Sequence, residues 1–111
     1  MKIHHLFDAT VAAVQANPTR PATAIVHDSD QARLVVFRIE PGQQVAPHVS
    51  TSAVMLVALS GSGILSGADG EQPVRAGDLA TYDPGELHGM RAGNDTLALL
   101  AIIAPRPGAR P

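Results

Sequence analysis

Two stretches of this sequence are apolar at every position: Ala53-Val54-Met55-Leu56-Val57-Ala58-Leu59 and Leu97-Ala98-Leu99-Leu100-Ala101-Ile102-Ile103-Ala104. A half-exposed strand alternates apolar with polar residues, so unbroken apolar text of strand length requires both faces to be covered. Neither stretch approaches the roughly 18–20 residues that a membrane helix needs. A chain of 111 residues has room for one core only. One face of these strands can therefore point into a closed barrel, while the other needs an N-terminal helix or a second copy of the chain. A homodimer built partly on these strands is expected.

The text from Ala22 onward supports an all-β fold. Short runs rich in Val, Ile, Leu and Thr alternate with Gly, Pro, Asp and Ser punctuation, the pattern of a sandwich or barrel. Strands are expected at Ala22–His27, Ala32–Glu40, Ala53–Leu59, Gly63–Ser66, Gln72–Arg75, Leu79–Tyr82, Leu87–Arg91 and Thr96–Ala104. Turns fall at Asp28-Ser29-Asp30, Pro41-Gly42, Ala68-Asp69-Gly70, Asp83-Pro84-Gly85 and Gly93-Asn94-Asp95. Ahead of the barrel, residues 1–21 form an arm in which Asp8 can cap a short helix through Ala9 to Val14, stopped at Asn17-Pro18. The barrel occupies residues 22–104. The proline-rich residues 105–111 cannot sustain a ladder and read as a frayed, disordered tail.

Charge and cysteine content narrow the chemistry. Eight Lys and Arg against ten Asp and Glu give a net charge of -2, which offers no basic footprint for nucleic acid. There is no Cys, so any metal must be held by His, Asp or Glu, and thiol chemistry is excluded. The opening Met1-Lys2-Ile3-His4-His5-Leu6-Phe7-Asp8 lacks the apolar core of a signal peptide. A cytoplasmic location without a membrane partner is expected. Asn94-Asp95-Thr96 fits a glycosylation acceptor but reads as a polar turn.

Five histidines carry the remaining polar chemistry: His4, His5, His27, His48 and His88. The first two read as surface residues, and His27 flanks a turn. His48 lies six residues after Gly42, and His88 lies eleven after Gly77, with Gly85 between them. Here the chain resembles the small single-domain cupins, whose first motif is G-x5-H-x-H-x3,4-E-x6-G and whose second is G-x5-P-x-G-x2-H-x3-N. Gly42, His48 and Gly61 match the first, and Gly77, Gly85 and His88 match the second. Gly63 also fits the hairpin after the first motif, and the resemblance spans about Thr23 to Ala104. It implies a double-stranded β-helix, or jelly-roll barrel, with a short N-terminal helix.

The departures from the motifs bear on function. In the metal-binding members, two His and a Glu of the first motif join the His of the second. This sequence has Ser50 at the second His position and Val54 at the Glu position. Asp83 and Ala92 replace the second motif's Pro and Asn, which concerns turn geometry more than ligation. His48 and His88 remain as metal-ligand candidates, and two imidazoles would hold zinc, iron, manganese or nickel only weakly, because a zinc site normally has at least three protein ligands. The cupin register further places Val54, Leu56 and Ala58 inside the barrel, and Met55, Val57 and Leu59 outside. The implied cavity is lined by His48, Ser50, Val54, Leu56, His88 and Met90, with Tyr82 near it.

Other chemistries fail on spacing. Gly61-Ser62-Gly63 opens no helix and is a hairpin rather than a nucleotide loop. Ser50 has no evident oriented base or oxyanion donors. Three readings stay open, so whether the chain is an enzyme is undecided. The favoured one is a small-molecule-binding homodimer with its metal site partly lost. The alternatives are a divalent-metal-dependent oxygenase or isomerase using His48 and His88, and a purely structural dimer with a filled barrel.

Overall fold

A computed structural model describes residues 1–108. A short helix, α1 (Leu6–Ala12), precedes nine strands: β1 (Ala22–Asp28), β2 (Arg33–Ile39), β3 (Gln44–His48), β4 (Ala53–Ser60), β5 (Ser62–Gly67), β6 (Gly70–Arg75), β7 (Leu79–Tyr82), β8 (His88–Ala92) and β9 (Leu97–Ala104). They form two antiparallel sheets, a five-stranded one ordered β1-β2-β9-β4-β7 and a four-stranded one ordered β3-β8-β5-β6. The eight strands expected from the sequence are all present, with ends shifted by no more than two residues. The ninth, β3, reads poorly as a strand because its text, Gln-Val-Ala-Pro-His, has no clean alternation and includes a proline. It lies at a sheet edge, where Pro47 removes no ladder bond that the fold needs.

The apolar runs sit at the centre of the larger sheet, where β9 is flanked by β2 and β4. Period-two geometry sends Val54, Leu56 and Ala58 inward, and each is at least 97% buried. Ile39, Leu97 and Leu99 meet them in the core. On β9 the opposite face is closed as well: Ala98 and Leu100 are buried beside Leu97, Leu99 and Ala101. On β4 the outward Met55 and Val57 are half-buried.

Helix α1 packs on β1 and β2, and it starts earlier than its sequence suggests. His5 occupies the N-cap without a side-chain bond, and Asp8 lies in the first turn rather than capping it. There its negative charge still complements the helix dipole. The other end is held from the sheet: the Arg38 guanidinium of β2 donates to the carbonyls of Thr10 and Val11, both at 2.8 Å. The Thr10 carbonyl also accepts the Ala13 amide at 3.3 Å, so a local cap and a tertiary contact together close this end of the helix.

The expected frayed tail is tied down where it begins. The Ser52 hydroxyl donates to the Pro105 carbonyl at 2.7 Å, and Arg106 Nε donates to the Asp28 carboxylate at 2.8 Å. The Arg106 amide also bonds to the Asp30 carbonyl at 3.3 Å. Asp28 takes a second cation from Arg33, and the bond from Arg33 is the main reason its carboxyl lies below the usual range. Residues 109–111 of that tail lie outside the described residues. Among the described residues no helix is long and apolar enough to cross a membrane.

Candidate functional site

Strands β3 and β8 pair with His48 opposite His88, and a register shift between Val45 and His48 allows that match. The backbone permits the approach because position 89 is glycine. A Cβ there would lie 3.0 Å from the Pro47 nitrogen and 3.1 Å from its Cα. With no Cβ in the way, the end of β3 closes onto β8, and the two imidazole centroids stand 4.2 Å apart, tilted by 56°.

Both rings are oriented by backbone carbonyls two residues earlier in the chain. His48 Nδ1 lies 3.0 Å from the Ala46 carbonyl oxygen, and His88 Nδ1 lies 3.2 Å from that of Glu86. A carbonyl oxygen only accepts, so each Nδ1 carries a hydrogen. His48 is exposed and His88 is buried. Burial pushes the His88 imidazole below its usual range, and the neighbouring His48 adds to this against the opposing pull of Glu86. A neutral His88 is the favoured state in the folded chain.

The histidines line a cavity of about 420 Å³ between the two sheets. Ser50, Val54, Leu56 and Met90 line the same cavity, so six residues expected from the sequence meet in one place. Tyr82 does not join its wall. Its ring lies 5.3 Å from that of His88 and its hydroxyl donates to the Ser66 carbonyl at 2.9 Å, so it supports His88 from the side. Burial raises its phenol pKa, with the Glu86 and Asp69 carboxylates adding to the effect.

Several wall residues were not legible from the motifs. Phe37 and Ile103 follow from register alone: Phe37 pairs with Leu99 on β9, and Val54 pairs with Ile103. Val45 belongs to the strand that the sequence hides. Pro107 closes the cavity from the tail, and no local signal marks it for that role.

The carboxylates near the second motif are engaged elsewhere. Glu86 Oε1 accepts the Asp83 amide at 3.0 Å within the turn, and neither residue lines the cavity. Among the described residues no group of three or more His, Asp or Glu could hold a metal ion. The donor set is thus two imidazoles with a serine and a valine beside them. That set does not fit a tightly held resident metal.

Two packed antiparallel sheets with a cavity between them and paired imidazoles at its wall define a small double-stranded β-helix protein. The chain belongs to the cupin family: the Cupin domain model matches residues 35–103. Solved structures agree. An RmlC-like cupin from Desulfovibrio desulfuricans is 30% identical, with 95% of this chain and 97% of that one covered at a TM-score of 0.79. A Thermus thermophilus protein is 28% identical over 96% of this chain and all of its own length, with a TM-score of 0.85. A predicted oxalate decarboxylase from Thermotoga maritima is 26% identical over 77% of this chain and 80% of its own, with a TM-score of 0.73. A search of curated proteins found no match.

Proposed function

We propose that this cupin binds a small organic molecule in the cavity between its sheets, without a resident metal, and does so as a homodimer. The carrying observation is the cavity itself. Its volume lies within the common range of ligand sites, and its wall is mostly apolar, with polar groups gathered at the histidine end. Thermal denaturation in the presence of a metabolite library, with and without a chelator, tests the reading. A compound that binds the native state raises the melting temperature, and that rise is expected to be indifferent to chelation. A shift or activity that vanishes with chelator and returns with added metal would instead establish the metal-dependent enzyme.

The dimer rests on surface and pattern. Leu34, Ile102 and Met55 stand half-buried in one cross-strand row on the outer sheet face, and Val57 and Leu79 stand in the next row beside the buried Val36 and Leu100. Helix α1 covers only the β1–β2 side, and Leu79 is 60% exposed. A second copy presents the same apolar face and can cover it. Sedimentation equilibrium at micromolar concentration is expected to give a dimer, and Met55→Glu with Val57→Glu a monomer. A monomeric unmodified chain would refute the dimer.

A further inference from the structure

We infer that Phe37 and Val45 form a partition that limits how far a ligand extends through this protein, and so select compact ligands over elongated ones. The inference rests on the reading of the cavity as a ligand site and names the shape that the site takes. Beside the cavity lies a second opening, a groove of about 690 Å³. The arm from Val14 to Pro21 supplies one side of it, and Thr23 of β1 and Gln44 of β3 belong to the other. Among the described residues, Phe37 and Val45 alone line both the groove and the cavity.

Strand register puts both side chains between the sheets. Phe37 pairs with Leu99, which pairs in turn with Ala58, and both of those are buried in the core. Val45 pairs with Met90, which lines the cavity. Residues directly opposite one another share a sheet face, so Phe37 points inward from one sheet and Val45 from the other. Both pack against the core yet stay only partly buried, which suits side chains that border open space. A phenyl ring and an isopropyl group, rather than a strand, therefore separate cavity from groove, and no ladder has to break for the two to join. With the partition in place, the far end of a long ligand gains no apolar burial in the groove, so added length brings no added affinity.

The test uses the full chain, labelled with carbon-13 in the methionine methyls and nitrogen-15 in the amides. It is titrated with benzyl alcohol and with a longer rigid rod, para-(phenylethynyl)benzyl alcohol. Met90 reports on the cavity, the Asn17 and Thr19 amides report on the groove, and Met55 on the outer sheet face is the control. In the unmodified chain both alcohols are expected to move Met90 and to leave Asn17 and Thr19 in place. In Phe37→Ala the rod is expected to move all three with a single dissociation constant. Its affinity relative to benzyl alcohol should rise by about tenfold or more, because its second ring becomes buried. Val45→Ala, at a half-buried position on an edge strand, is expected to act in the same direction more weakly, and it carries the test if Phe37→Ala does not fold. A rod that moves Met90, Asn17 and Thr19 together in the unmodified chain would show that no partition exists. An unchanged affinity ratio in the variants would show that the limit lies elsewhere. Either result overturns the inference and leaves the cavity a ligand site. If benzyl alcohol moves Met90 in none of the proteins, the ligand-site reading falls and the partition's role falls with it.

Discussion

Gly61→Ala is expected to remove a large part of the stability of the domain. Gly61 turns the chain from β4 into β5 with φ at +76°, and a Cβ there would lie 1.7 Å from the Thr96 carbonyl oxygen and 2.8 Å from its carbon. Both obstacles are backbone atoms, so no rotamer change relieves them. Relief requires moving the start of β9, whose Leu97 is fully buried in the core. A left-handed backbone alone costs about 1–2 kcal/mol for a residue with a Cβ, and displacing a core strand brings the total above about 4 kcal/mol. That is a large part of the roughly 5–15 kcal/mol by which native domains are stable. Gly42→Ala is the matched control, because Gly42 also has positive φ, at +88°, with nothing within 4 Å of its added Cβ. Urea denaturation followed by circular dichroism separates the two contributions. Similar losses in both variants would show that the approach to Thr96 is unimportant.

Ser50→His combined with Val54→Glu is expected to give the chain a firmly held metal ion. Both positions line the cavity that already contains His48 and His88, and the two changes restore the side chains that metal-binding cupin motifs carry there. Without metal, the variant is expected to be less stable than the parent, because Val54 is 3% exposed and a buried carboxylate without a partner is unfavourable. Metal at a hundredfold excess over its dissociation constant adds about 2.7 kcal/mol, which for a domain of this size raises the melting temperature by about 10 °C or more. The parent chain should move by under about 2 °C in the same titration with zinc or manganese. Equal shifts in the two proteins would mean that His48 and His88 suffice for metal, and would reverse the reading of the donor set.

The same two positions show why much of this protein is legible in its sequence. Ser50 and Val54 are placed by the resemblance to the first cupin motif, counted from Gly42, and once Val54 is inside, strand alternation carries Leu56 and Ala58 with it. Short-range rules of this kind recover strands, turns and the inner face of β4. They fail where the cause lies far along the chain. Strand β3 is held by β8 and by the absence of a Cβ at Gly89, so its own residues say little. The far end of helix α1 is held by Arg38, from a strand, a contact that the helix's own residues do not announce. Phe37 and Ile103 reach the cavity through pairing register, which no single stretch contains. Tyr82 lies beside the site rather than in its wall because its hydroxyl is drawn to Ser66 on the opposite sheet.

The tether at the end of β9 bears on how a guest reaches the cavity. Most of the wall is strand, and moving it means breaking ladders. Pro107 is different, since the segment beyond Ala104 is held by Ser52, Asp28 and the Asp30 carbonyl. Swinging it aside breaks those contacts and leaves every strand pair intact. His48, Val49 and Thr51 at the same wall are exposed, so the cavity meets solvent there, and Pro107 is the part of the wall that can yield without breaking a ladder.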